Sequence, residues 1–317
     1  MQTLRRLLTC AVLVALAVLL APLPAIHAPA QAQTTPTEPP PAWDGQSRFT
    51  VLVLGSDRRP NARDTFSTRT DVMILVSVDP SQQRIGMMHL PRDLHMVPPG
   101  SDIFRRINTL MIVGEDLQPG YGPYYAMDTL QYNLSIYIDR YIMFDFESFI
   151  TVIDAIGGIE ITTTYDIYDN EYPDMNYGFE PFFLPAGTHQ MDGRTALKFA
   201  RTRHQDTDVM RGIRQMQVIS AIHNKVRQGN TLARLIRQAP QLMGELDRLV
   251  YTDMTLQDMV QLAWYAGQLP PESLHTGSVD RSHQLLYNIP EGGPVYIPDH
   301  GKMGELMTEI FGPYYYR

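Results

Sequence analysis

Cysteine is almost missing from this chain: of 317 residues only Cys10 is one, and it lies in an N-terminal apolar run. A body without thiols has no disulfide framework, no cysteine nucleophile and no thiolate metal site. Lysine is nearly as scarce, with Lys198, Lys225 and Lys302 against 23 arginines among the 26 basic residues. Positive charge as a whole is in deficit. The formal net charge is -8, and it becomes -10 (24 basic against 34 acidic residues) once Arg5 and Arg6 are set aside with the N-terminal segment. Bulk charge therefore excludes a nucleic-acid binder. The Gly-x-Gly-x-x-Gly fingerprint, the P-loop and His-Glu-x-x-His are all absent, and the scattered histidines read as structural.

One long hydrophobic run is present, residues 7–23 (LLTCAVLVALAVLLAPL), preceded by Arg5-Arg6 and followed by Ala30-Gln31-Ala32. A charged start, an apolar stretch and a small-residue site make residues 1–32 an export signal. Pro22 and Pro24 cut the run below the roughly 20 residues of a membrane span, which favours a cleaved signal peptide over a retained anchor. The protein is thus expected outside the cytoplasm, secreted to the cell envelope or associated with the cell membrane. Residues 33–47 (QTTPTEPPPAWDGQS) read as an extended linker, and one folded domain is expected over 48–317.

That body alternates apolar strand-like runs with helical patterns. FTVLVLG from Phe49, Val72–Val78 and Arg84–Leu90 read as buried strands, each abutting a charged cluster. Two helices are predicted within 104–134, a strand at 141–145, a helix at 146–156 and a strand at 159–164. Residues 165–193 show little periodicity and read as a long ordered excursion, a lid, a rim or a plain surface loop. Helices follow at 195–200, 208–227, about 231–249, 255–267 and 302–311, with a strand-and-turn region at 274–298. The alternation predicts a layered α/β fold.

Chemistry concentrates at element ends. RTRHQDTDVMRGIRQ (201–215) reads as a strand-turn-helix passage. On its helix, Asp208, Arg211 and Gln215 fall within about 60° of one another. Ile219, Ile222 and Val226 continue the same stripe, so this polar face points inward and needs partners or a ligand. Arg214 lies off the stripe and reads as support. If Arg201 to Arg203 is extended, both guanidiniums share one face. Asp57 after the first strand and Asp71 at the start of the second would meet at one sheet edge. Two such carboxylates suit Mg²⁺ completed by phosphate oxygens. The bland alternative has Asp57 capping a turn and Asp71 paired with Arg69. Arg92, Arg106, Arg201, Arg203 and Arg211 add guanidinium forks suited to a phosphoester or pyrophosphate.

These residues also carry a resemblance. GSD (55–57), RTD (69–71), VMILVSVD, PRD (91–93), RIN (106–108), FDFESFITVIDAIGGIEI (144–161), G-x5-G-x2-AL (187–197) and RTR with D-x2-R-x2-RQ (208–215) together resemble the LytR-CpsA-Psr family, well over 49–228 and loosely beyond. The resemblance implies a three-layer α/β/α sandwich around a central mixed β-sheet, with a lipid tail in an apolar groove. It implies an extracytoplasmic phosphotransferase that moves a glycopolymer from a polyprenyl-pyrophosphate donor onto a cell-wall acceptor glycan, peptidoglycan, at the membrane surface. In that family's pattern Asp57 and Asp71 match the residues that bind Mg²⁺, or Mn²⁺ in its place. Arg69, Arg92, Arg201, Arg203, Arg211 and Gln215 match those holding pyrophosphate and phosphosugar, and Asp208 would orient Arg211 or join the metal site. Arg106 stands where the family often has lysine, with the charge kept. Asp71, Arg69 and Arg92 are the residues expected at the chemistry. Two other readings share these residues: a polyprenyl-pyrophosphate phosphatase with water as acceptor, and a non-catalytic lipid-phosphate-binding envelope protein.

Overall fold

The apolar runs form strands because each has two faces to bury. The computed structural model describes residues 42–56, 67–174, 178–202, 208–227, 250–289 and 292–316. The strands are β1 (Phe49–Ser56), β2 (Thr70–Asp79), β3 (Arg84–His89), β4 (His95–Met96), β5 (Arg105–Arg106), β6 (Arg140–Phe144), β7 (Ile159–Thr163), β8 (Ile167–Pro173), β9 (Phe179–Leu184), β10 (Gly187–Met191), β11 (Val250–Thr252), β12 (Leu274–Ser278), β13 (Gln284–Ile289) and β14 (Gly293–Pro298). The helices are α1 (Leu110–Leu117), α2 (Gly122–Leu134), α3 (Phe146–Ala155), α4 (Gly193–Arg201), α5 (Asp208–Arg227), α6 (Leu256–Gln268) and α7 (His300–Phe311).

A six-stranded sheet runs in the order β11-β6-β1-β2-β3-β12. β6 lies parallel to β1 and β12 parallel to β3, whereas β2 is antiparallel to both β1 and β3 and β11 is antiparallel to β6. The sheet is therefore mixed, and β1, β3, β6 and β12 all end at one edge. Period-two alternation sends Leu52, Leu54, Leu75 and Met88 to one face, against Met111 of α1, Leu130 of α2 and Ile310 of α7. Val51, Ile74, Val76 and Met87 face the other way, against Met216 of α5 and Met259 and Leu262 of α6. This is the expected three-layer α/β/α sandwich around a mixed sheet. Among the described residues no helix is long and apolar enough to cross a membrane.

Three local readings change. The end of the supposed linker is ordered: Trp43 is buried, stacks on Phe49 at 5.0 Å and donates its backbone N–H to Asp258 Oδ1 at 2.7 Å. One large aromatic in a polar stretch found a core to join, so the folded body reaches back past residue 48. Residues 165–193 are mostly strands, with β8 paired to β9 and β10 to β7. A register shift between Asp169 and Tyr172 breaks the two-residue period that would have marked β8. Arg201 is the last residue of α4 and not part of an extended segment. The export segment 1–32, linker residues 33–41 and the helix expected at about 231–249 lie outside the described residues.

Candidate functional site

The antiparallel register of β1 and β2 sets Ser56 opposite Thr70, so the chain leaves β1 beside the residue that precedes Asp71. Asp57 itself lies outside the described residues, as does Arg203. Asp71 accepts a hydrogen bond from Arg92 Nη1 at Oδ2 (2.6 Å) and a longer one from Asn108 Nδ2 at Oδ1 (3.3 Å). Its ion-pair partner is thus Arg92, not the neighbouring Arg69, which is exposed. Asn108 is buried in the short helical turn Ile107–Thr109, whose backbone is tied back by Ile107 N–H to the Leu94 carbonyl (2.8 Å). Asn108 stands inside the RIN motif, yet nothing local distinguishes it from a solvated amide. Arg106 is half-exposed and pairs with Asp93 at 3.3 Å, away from the cavity described below.

The second wall comes from α4 and α5. Arg211 and Gln215 are 4% and 6% exposed, as the inward stripe requires. Gln215 Nε2 reaches the Ala200 carbonyl at 3.4 Å, whereas its Oε1 is buried with no hydrogen-bond partner among the described residues. Arg214 is 1% exposed; its Nε donates to the Phe199 carbonyl at 2.8 Å and its Nη2 to the Thr202 carbonyl. It serves the orphan carbonyls at the end of α4, a supporting role. Asp208 begins α5, and its side chain lies outside the described set.

Arg201 is held by aromatics that sequence reasoning missed. Its guanidinium lies 3.9 Å from the Phe146 ring centroid and 5.3 Å from that of Tyr172, and Nη1 donates to the Tyr172 hydroxyl at 2.9 Å. Phe146 opens α3, capped by Asp145, which accepts from Ser148 N–H at 2.8 Å. Tyr172 comes from β8, so the aperiodic excursion delivers a residue to the site. His89, at the end of β3, is fully buried under α5, and a Cβ at Gly212 would lie 2.4 Å from its Nδ1. Burial, with Arg211 adding to it, pushes the His89 pKa down to about 3, so the ring is neutral.

Between the second sheet face and α5 runs a cavity of about 310 Å³. Its walls are apolar, with Val53, Ile74, Met87 and Ile142 from the sheet and Val218, Ile219 and Ile222 from α5. Its mouth lies at the edge where the parallel strands end, and carries Asp71, Asp145, Asp169, Arg201, Arg211 and Gln215. An apolar interior below a rim of guanidinium and carboxylate groups suits an amphiphile with a long hydrocarbon body and an anionic head.

An α/β/α sandwich with an apolar cavity opening on an arginine- and aspartate-bearing rim is the class this geometry defines. The LytR_cpsA_psr family profile matches residues 25–311, and the chain belongs to that family. It is 31% identical over 182 residues, 57% of this chain and 53% of the relative, to the polyisoprenyl-teichoic acid–peptidoglycan teichoic acid transferase TagT of Bacillus subtilis. To the TagU enzyme of the same description from Halalkalibacterium halodurans it is 29% identical over 221 residues, 68% of this chain and 64% of that one. The chain thus spans about half to two thirds of the length of these relatives. In fold it resembles the crystal structure of B. subtilis TagV, with a TM-score of 0.65 at 21% identity over 84% of this chain and 99% of TagV. It also resembles a structure of TagT bound to LIIa-WTA, with a TM-score of 0.63 at 22% identity over 88% of this chain and 93% of that one.

Proposed function

We propose that this protein transfers a glycopolymer from a polyprenyl-pyrophosphate-linked donor to a hydroxyl of the cell-wall glycan, outside the cytoplasm and at the membrane surface where such a donor resides. The observation that carries this reading is the apolar cavity of about 310 Å³ ending at Asp71, Arg201, Arg211 and Gln215. A prenyl tail in the cavity would set the pyrophosphate at the mouth, within reach of two guanidinium forks. The relatives named teichoic acid transferases support a glycan donor and a peptidoglycan acceptor of this kind.

In the proposed reaction the acceptor oxygen bonds to the sugar-linked phosphorus as the bond from that phosphorus to the bridging oxygen breaks. Polyprenyl phosphate leaves with the electron pair. Arg201 and Arg211 stabilise the charge that develops on the phosphate oxygens. Arg92 holds Asp71 Oδ2, which leaves Oδ1, with its longer bond to Asn108, as the oxygen to accept the acceptor's proton. Asp71 also fits a divalent cation: a carboxylate has about four acceptor positions, of which two are engaged here. Among the described residues no group of three or more acidic or histidine side chains is placed to hold a metal ion; Mg²⁺ commonly takes one or two protein carboxylates and completes its octahedron with phosphate oxygens. Asp71, with Asp57, the residue that follows β1 in the sequence, would hold Mg²⁺ or Mn²⁺, which would supply charge neutralisation on the pyrophosphate.

Asp71→Ala tests this directly. With a lipid-pyrophosphate glycan donor and peptidoglycan acceptor, the rate should fall at least about 100-fold at unchanged melting temperature. Product analysis with and without acceptor separates transfer from hydrolysis. Full transfer by the variant would overturn the proposal.

A further inference from the structure

Helix α5 has a second surface. On the flank away from the apolar cavity, Gln217, Ser220 and Asn224 form a polar stripe at three- and four-residue spacing. Across from them lie Thr162 of β7 and Thr276 and Ser278 of β12, and together these walls bound an open groove of about 480 Å³. Buried Met216, Ala221 and Ile161 form its floor. Among the described residues Glu160 is the one charged side chain in its lining.

We propose that this groove binds a neutral, polyhydroxylated glycan, the acceptor strand of the transfer, and so rests on the function proposed above. Amide and hydroxyl side chains both donate and accept, as the hydroxyl and acetamido groups of a sugar require. Among the described residues its lining has no arginine or lysine to offer a phosphate, which separates this groove from the charged mouth. Position supports the same occupant. Ser278 Oγ, in the groove wall, is 3.0 Å from His89 Nδ1, and the His89 ring packs on Gly212, next in the chain to Arg211. One buried side chain therefore separates the end of the groove from the mouth of the cavity. The helix divides the two substrates: lipid along Val218, Ile219 and Ile222, glycan along Gln217, Ser220 and Asn224.

The test is a titration with chitotetraose, a neutral chain of four β-1,4-linked N-acetylglucosamine units, followed by amide chemical shifts. Saturable binding at about millimolar strength is expected, with shifts at Gln217, Ser220 and Thr276 and no displacement by excess inorganic pyrophosphate. Gln217→Trp and Asn224→Ala, both at exposed positions, should weaken binding about tenfold or more at unchanged melting temperature. Gln217→Trp should also lose transfer to acceptor while still cleaving donor in water. Absence of saturable binding, equal binding by both variants, or displacement by pyrophosphate would overturn the proposal. The titration needs no donor turnover, so it decides the groove even where the transfer reading fails.

Discussion

Gly212 is one residue whose lack of a side chain sets the distance between a helix and a sheet. A Cβ there would meet His89 Nδ1 at 2.4 Å, and His89 cannot swing away because its ring is fully buried and tied to Ser278. Gly212→Ala should therefore destabilise the fold by about 1–3 kcal/mol by overpacking, despite the better helix propensity of alanine. Urea denaturation measures this, and a variant as stable as the parent would contradict the packing argument. The paired sequence signals at this scale were partly readable. Arg211 and Gln215 show themselves through the stripe they share with Ile219 and Ile222. Asn108 and Asp71 are 37 positions apart, and Tyr172 and Arg201 are 29 apart, with no period to connect them.

At the scale of elements, apolar runs with β-branched and aliphatic residues predicted β1, β2 and β3 because strands covered on both sides need no alternation. Charged and apolar residues repeating at 3.6 predict the 208–227 helix, and α5 has those bounds. The sequence pattern does not show the β8–β9 pair, where the register shift scrambles the period, or that Arg201 ends α4 instead of joining an extended Arg201–Arg203 segment. The junction of α4 and α5 depends on Arg214, whose guanidinium serves the Phe199 and Thr202 carbonyls in a buried setting. Arg214→Met keeps much of the volume but strands those acceptors. It should cost about 2–4 kcal/mol, and phosphate-ligand affinity should fall only in step with the folded fraction. A loss of affinity in a fully folded Arg214→Met protein would instead make Arg214 a ligand contact.

At the scale of the molecule, the sheet separates two charged ends. Opposite the cavity mouth, at the start of β6, Asp139 accepts from Thr50 N–H at 2.7 Å and Asp253 from Tyr141 N–H at 2.9 Å, on either side of Arg140. Burial, the largest cause, pushes Asp139 up to about 7 and Asp253 up to about 6 from an ordinary 3.8. A raised carboxyl pKa means that the folded state binds more protons than the unfolded one, so stability falls as pH rises from about 4 to about 7. Asp139→Asn should remove that loss, gaining on the order of 1–2 kcal/mol at pH 8 after solvent screening and nothing at pH 4. Denaturant melts at the two pH values check it, and an equal effect at both would refute the buried charge. At the opposite end, the proposed function requires one cavity to take a prenyl tail and present its pyrophosphate to Asp71, Arg201 and Arg211. Calorimetric titration with geranylgeranyl pyrophosphate and with inorganic pyrophosphate, on the parent and on Ile219→Trp, decides this. The prenyl compound should bind the parent at least about 100-fold more tightly than inorganic pyrophosphate, and Ile219→Trp should abolish that advantage while leaving inorganic pyrophosphate unaffected. Equal affinity for the two ligands, or an advantage that survives Ile219→Trp, would contradict it.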